Sequence, residues 1–316
     1  MLRVFGAEEI HAGLDYVRLV EALREAFRDA DVIQPLRQSY DIGPIGGAPA
    51  YLLSMPAWRS GDAAGVKLVT VFPQNAAKGL GAVSAVYVLF DGSTGIPRAI
   101  FDGEALTNRR TAAASALAST YLSRPDAATL LVVGTGNLAP HLAQAHCAVR
   151  PISRVLVWGR NAERATALCE HLRRRGLTAE PAYDLPAATA RADIISCATT
   201  STEPLIKGVD LRPGTHIDLV GAFTPHMRET DDEAVRRASV FVDTYAGAFA
   251  EAGDLLQAAQ AGAWATERTC ADLHELTAGA KPGRRDPAEI TLFKSVGAAI
   301  EDLTAAKLLM AECARS

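Results

Sequence analysis

The segment Gly134-Thr135-Gly136-Asn137-Leu138-Ala139 follows the apolar run Thr129–Gly134 directly and opens a stretch of helical character. It fits the pattern G-x-G-x-x-A. The first glycine permits a tight turn. The second has no Cβ, so backbone can approach a pyrophosphate, and the alanine lets helix and strand pack closely. The helix N-terminus then presents unpaired N–H groups and the positive end of its dipole to phosphates. The sequence therefore predicts a dinucleotide site built on Gly134, Thr135, Gly136, Asn137 and Leu138. The next apolar run ends in Trp158-Gly159-Arg160-Asn161. A site selective for NAD usually carries Asp or Glu at this point, whereas arginine complements a ribose 2′-phosphate. Arg160 tilts the expectation toward NADP(H), with NAD(H) possible, and Asn161 can serve the ribose hydroxyls of either. A later run ends in Cys197-Ala198-Thr199-Thr200-Ser201, small and hydroxyl side chains that let a cofactor lie close. Thr199 and Thr200 join the cofactor set, as does Val220 in the run after it. Cys197 reads as a packed thiol rather than a nucleophile, since this segment shows no histidine partner.

Three cations stand in otherwise apolar or turn segments: Arg37 in QPLRQSY, Lys67 within AGVKLVTVF, and Arg110 in LTNRRTAAASA. A lysine inside an apolar strand must reach water, a counter-ion or a ligand, because burying it alone costs several kcal/mol. Each cation taken singly reads as a structural ion pair. Taken together beside a cofactor, they suggest an anionic substrate with a carboxylate.

These residues need two kinds of scaffold. The first thirty residues repeat apolar positions at helical spacing, with Leu14, Val17, Leu19, Val20, Leu23, Ala26 and Phe27 on one face. Pro35–Pro56 reads as strands joined by turns, and Ala64–Phe72, Ala82–Phe90 and Pro97–Phe101 as further strands of a hairpin meander. Gly103–Leu122 is helical and alanine-rich. From about Ala127 the short apolar runs Thr129–Gly134, Arg154–Gly159, Ala192–Ala198, Thr215–Gly221 and Ser239–Thr244 alternate with room for crossover helices. That rhythm implies a parallel sheet covered on both faces. Ile290–Cys313 reads as helical and is assigned back to the first domain. The expected organisation is α/β: a Rossmann domain over 121–289, inserted in an α+β domain formed by 1–120 plus 290–316.

Composition limits the alternatives. The 316 residues carry a net charge of −4, so no basic excess is available to neutralise nucleic-acid phosphates. No uncharged apolar run reaches membrane-spanning length, and the N-terminus lacks the basic and apolar regions of a signal peptide. The five cysteines are scattered without C-x-x-C spacing, which fits free thiols in a reducing cytoplasm. No histidine spacing suggests a metal site.

LVVGTGNLA, AGVKLVTVFPQN, LFDGSTGIPRAIFDGEALTNRRTAAASA and TLFKSVGAAIEDL together resemble the ornithine cyclodeaminase/μ-crystallin family, collinearly over nearly the whole chain. The resemblance implies a substrate-binding and dimerisation domain completed by the C-terminal helix, with the Rossmann domain inserted, and hence a homodimer. It implies a small α-amino or α-imino acid substrate whose carboxylate is held by Arg37, Lys67 and Arg110. Arg109 is then the solvated or ion-paired neighbour. Ser84 falls at a family position that faces substrate.

One departure bears on the reaction. Cyclodeaminases carry an aspartate in a G-G-D type motif after the fourth Rossmann strand, whereas the corresponding stretch here is Gly221-Ala222-Phe223-Thr224-Pro225. Phenylalanine cannot do acid–base work. The form resembles members that reduce cyclic ketimines. The resemblance therefore implies an NAD(P)H-dependent reductase of Δ1-pyrroline-2-carboxylate, and of its six-membered homologue as a second substrate. Phe223 would line the substrate pocket. The proton comes from Lys67 or from a water held by Ser84, with His226 a weaker candidate. Ornithine cyclodeamination, reduction of an acyclic imino acid, and a crystallin-like binding protein without catalysis are the alternatives.

Overall fold

Ala63, Gly65, Lys67 and Val69 are buried while the residues between them are less so, the period of two that marks a strand with one covered face. This strand belongs to the first of two units of the computed structural model, which describes residues 2–29 and 31–315. The first unit is Met1–Thr111 with Ala298–Ser316, and the second is Ala112–Gly297.

In the first unit β1 (Arg3–Phe5), β2 (Gln38–Ile45), β3 (Ala48–Arg59), β4 (Ala63–Val71), β5 (Val83–Asp91) and β6 (Pro97–Asp102) form one sheet, in the order β1-β6-β5-β4-β3-β2. Strands β2 to β6 pair antiparallel in sequence order, and β1 adds parallel to β6. The turn from β2 to β3 needs Gly46 and Gly47, whose φ angles of 62° and 83° suit residues without a Cβ. The C-terminal helix, Ala299–Arg315, packs on β3 and β4 and against the helix Tyr16–Arg28. That second helix starts at Asp15, whose carboxylate caps the Arg18 N–H at 3.1 Å. It buries Tyr16, Leu19, Val20, Leu23 and Phe27. Val17, expected on the same face, is 52% exposed, because it lies beyond the stripe that those five define.

In the second unit β7 (Thr129–Val133), β8 (Arg154–Trp158), β9 (Ala179–Pro181), β10 (Ile194–Cys197), β11 (His216–Leu219), β12 (Ser239–Val242), β13 (Thr269–Asp272) and β14 (Thr291–Lys294) form a parallel sheet. Its order is β13-β12-β14-β11-β10-β7-β8-β9. Leu131 and Val133 enter one apolar core and Leu130 and Val132 the other, so β7 is covered on both faces. The fold is α/β with a Rossmann-type sheet, as the strand–helix rhythm implies.

Two expectations are corrected. Residues 290–313 are not wholly helical, because Thr291–Lys294 enters the sheet between β11 and β12. A four-residue apolar run carries no period that separates strand from helix, and the sheet was incomplete without it. The unit boundaries accordingly fall at 111/112 and 297/298, not at 120/121 and 289/290. The helix Gly103–Leu122 runs unbroken through the first boundary, and its C-terminal turns belong to the second unit. There Arg150 binds the Ser123 hydroxyl and the Ser119 and Thr120 carbonyls, each at 2.8 Å.

Candidate functional site

Strand β4 carries Lys67 on its covered face, where the side chain is only 3% exposed. Its Nζ lies 2.9 Å from Asp302 Oδ2 and 3.1 Å from Asp302 Oδ1, and 3.4 Å from the Thr107 hydroxyl. Arg110, on the alanine-rich helix, reaches the same carboxylate: its Nε donates to Asp302 Oδ1 at 3.1 Å and its Nη1 to Glu301 Oε2 at 2.6 Å. Both acids stand in the first turn of the C-terminal helix, where the helix dipole favours negative charge. Glu301 also accepts from the Ala298 N–H at 3.2 Å. Burial lowers Lys67 to about 8, and the charge of Arg110 adds to the effect, while Asp302 opposes it. Arg37 is half-buried and depresses Lys67 as well, which puts its charge within electrostatic reach. Burial works against the charge on Arg110, but Asp302 and Glu301 outweigh it and raise its pKa. The structure thus gathers Lys67 and Arg110 on one carboxylate.

Ser84 is not part of that group. Lys67 pairs with Tyr87 across β4 and β5, and Ser84 pairs with Thr70, three residues along in each strand. An odd offset turns a side chain to the other face of the sheet. Ser84 is exposed there, in one row with Thr70, Leu52 and Tyr40. Ser84, expected with Lys67 at the substrate site, thus does not stand beside it on the sheet. Tyr87 takes that place, fully buried beside Lys67, in space opened by Gly65, whose Cβ would lie 2.0 Å from the Tyr87 hydroxyl. Arg109 is also corrected: it is buried rather than solvated, stacks over the Tyr16 ring at 4.3 Å and donates to the His11 carbonyl.

The second unit holds the glycine-rich turn. Gly134 has φ of 123°, and a Cβ there would lie 2.6 Å from the Ala198 carbonyl oxygen. At Gly136 a Cβ would meet nothing within 4 Å, so open space lies over the turn where a phosphate can approach backbone. A cleft of about 300 Å³ continues from this turn, with walls that include Thr135, Trp158, Arg160, Asn161, Arg164 and Thr199. Thr200 lines it too, and Asn137 and Leu138 continue the turn into the helix Ala139–Val149. Asn161 spends its Oδ1 on capping the helix Ala162–Arg174, accepting from the Arg164 N–H at 2.9 Å, which leaves its amide group for a ligand. Val220 is buried and pairs its N–H with the Cys197 carbonyl at 2.9 Å. Cys197 is fully buried, and burial raises its thiol well above the usual range. His226 is exposed, 3.5 Å from the Thr224 hydroxyl. Phe223 is 38% exposed in the loop after β11.

Sequence reasoning left several of these residues unseen. Arg164 stands one helical turn past Arg160, and a second arginine in WGRNAER was the available signal. Glu301 and Asp302 were visible only as an acidic pair opening an apolar helix. Glu229 gave no signal: it lies in no regular element, yet it is fully buried. Burial raises its carboxyl to about 7, opposed by the charge of Lys294. Among the described residues no three His, Cys, Asp or Glu side chains are grouped to hold a metal ion, and no helix is long and apolar enough to cross a membrane.

A two-unit chain with an inserted Rossmann-type sheet, a phosphate-approachable glycine turn and a buried Lys–Arg–carboxylate cluster has the build of a dinucleotide-dependent enzyme for small molecules. The chain belongs to the ornithine cyclodeaminase/mu-crystallin family, whose model matches residues 7–316. It is similar to the Δ1-pyrroline-2-carboxylate reductase of Paracoccus denitrificans, 39% identical over 296 residues that cover 90% of this chain and 92% of that protein. It also resembles the structure of Thermococcus litoralis Δ1-pyrroline-2-carboxylate reductase in complex with NADH and L-proline. There the TM-score is 0.93 and the identity 34%, with 99% of this chain and 98% of that chain covered. An archaeal alanine dehydrogenase dimer with bound NAD matches at a TM-score of 0.91 and 29% identity, covering 99% and 96%.

Proposed function

We propose that this protein is an NAD(P)H-dependent imine reductase that converts Δ1-pyrroline-2-carboxylate to L-proline, acting also on the six-membered cyclic imine. The observation that carries the reading is Lys67: a buried amine, lowered to about 8 and held on Asp302 beside a second buried cation. Such a group both attracts a carboxylate and exists partly as an acid near neutral pH. Lys67, Arg110 and Arg37 bind and orient the substrate carboxylate. Lys67 delivers the proton to the imine nitrogen, since Ser84 lies on the other sheet face. When bound, the nicotinamide supplies the hydride for the imine carbon. The open space over Gly136 and the small side chains around the cleft fit a dinucleotide, and Arg160 with Arg164 supports a preference for NADPH, NADH being a second donor.

Phe223 stands where a cyclodeaminase needs a carboxylate, and an aromatic ring cannot manage protons on a second amine. The reading includes a homodimer, supported by Tyr40 and Leu68, large side chains exposed on the outer sheet face, and by the dimer described for the archaeal relative. The test is direct. Purified protein should consume reduced nicotinamide stoichiometrically with Δ1-pyrroline-2-carboxylate and form negligible proline from L-ornithine with NAD⁺. Ammonia release from ornithine at a comparable turnover, or reduction of acyclic imino acids alone, would overturn the assignment.

A further inference from the structure

Glu229 is a carboxylate with four donors and no solvent. Its Oε1 accepts from the Thr199 N–H at 2.7 Å and from the Thr199 hydroxyl at 2.9 Å. Its Oε2 accepts from the Gly221 N–H at 2.8 Å and the Ala222 N–H at 3.3 Å. Thr199 follows β10 and Gly221 follows β11, so one side chain joins the loops that leave two neighbouring strands at their carboxyl ends. In an open parallel sheet that is the edge where ligands bind. Thr199 itself lines the cleft.

The loops are in contact around this carboxylate. A Cβ on Gly221 would lie 2.1 Å from the Thr199 carbonyl oxygen and 2.3 Å from Glu229 Oε1. Glu229 is fixed in turn. Asp254, in the first turn of the helix Gly253–Gln260, accepts from the backbone N–H groups of Glu229 and Thr230, each at 2.8 Å. Lys294, at the end of β14, places its Nζ 3.3 Å from Asp254 Oδ2. All three side chains are fully buried. These contacts converge on the ends of β10 and β11. Arg160 marks the ribose-phosphate end of the cleft, after β8, on the far side of β7.

We infer that Glu229 is a positioning residue for the nicotinamide half of the dinucleotide, holding the loops after β10 and β11 in the shape that half requires. The inference rests on the dinucleotide reading above. An ionised carboxylate is acceptor-only at both oxygens, which suits a site with two donors on each. Glutamine keeps the shape but aims an amide donor at backbone donors on one side.

The test compares two ligands on wild type and Glu229→Gln by titration calorimetry: NADPH, and 2′-phospho-ADP-ribose, which lacks the nicotinamide. The variant should bind NADPH at least tenfold more weakly and 2′-phospho-ADP-ribose within about twofold of wild type. Its KM for NADPH should rise more than kcat falls. Equal weakening of both ligands, or no weakening in a folded variant, would overturn the inference and leave Glu229 a structural clamp. Should Glu229→Gln not fold, Glu229→Asp, which keeps the charge but is shorter, is titrated in the same way. A loss of about threefold or more confined to NADPH supports the inference, and any other pattern overturns it. A wild-type protein that binds neither of these ligands nor NADH would show instead that the dinucleotide reading has failed.

Discussion

Replacing Asp302 with asparagine removes the anion between two buried cations. Lys67 Nζ lies 2.9 Å from Asp302 Oδ2 and Arg110 Nε 3.1 Å from Oδ1. Unit charges at that separation attract by about 6 kcal/mol at an effective dielectric of about 20. Breaking a buried pair by removing one partner costs about 3–5 kcal/mol, because the other charge stays desolvated. The variant should lose stability of that order. Lys67 should respond as well. It already sits at about 8, and Asp302 is the group that raises it while Arg110 lowers it. If about a third of the Coulomb energy survives relaxation, the loss is about 2 kcal/mol, or roughly one and a half pKa units. Lys67 would then titrate between about 6 and 7. A donor must hold its proton, so the rate falls as pH rises through its pKa. The descending limb of kcat/KM, expected near 8 in the wild type, should therefore move down by at least about one unit in Asp302→Asn. The assay follows loss of reduced-nicotinamide absorbance with the cyclic imine across the neutral range, alongside denaturant unfolding of the same protein. A folded variant whose limb stays at the wild-type position would refute Lys67 as the proton donor under the control of Asp302. Unchanged stability would refute the burial argument.

Lys67→Met should cut kcat/KM by at least ~100-fold while the fold survives; a variant that is less stable but keeps its activity per folded molecule would make Lys67 a structural partner only. Arg160→Ala should raise the KM for NADPH about tenfold, near 1.4 kcal/mol, with a smaller effect on NADH. Equal effects on the two cofactors would show that the 2′-phosphate is not its partner. His216 is fully buried, with Nδ1 3.0 Å from the Thr291 hydroxyl, and burial lowers it to about 3. The folded chain keeps it neutral where the unfolded chain protonates it, near 6.5. Stability from this group is thus complete above about pH 6.5 and is lost as pH falls toward 3, by up to about 5 kcal/mol. His216→Gln should flatten the acid limb of a stability–pH curve, and an unaltered limb would remove His216 as its cause.

The parts of this protein legible in its sequence are those whose meaning is local. Gly134 and Gly136 between an apolar strand and a helix mark a phosphate turn: φ of 123° at Gly134 suits a residue without a Cβ, and Gly136 leaves its backbone open to a ligand. The β-branched, apolar run Ala64–Phe72, bounded by turn residues, reads as a strand with Lys67 in its middle. Tertiary structure decided the rest. Asp302 meets Lys67 across 235 positions of sequence, and no spacing rule reaches that far. Which face Ser84 takes depends on the register of β5 against β4, where an odd offset reverses every side chain. The run TLFK became the strand between β11 and β12 only because a gap in the sheet accepted it. Glu229 shows the limit most plainly: a glutamate in a polar loop looks solvated, and only the packing of two loops around it turns it into a buried carboxylate with four donors.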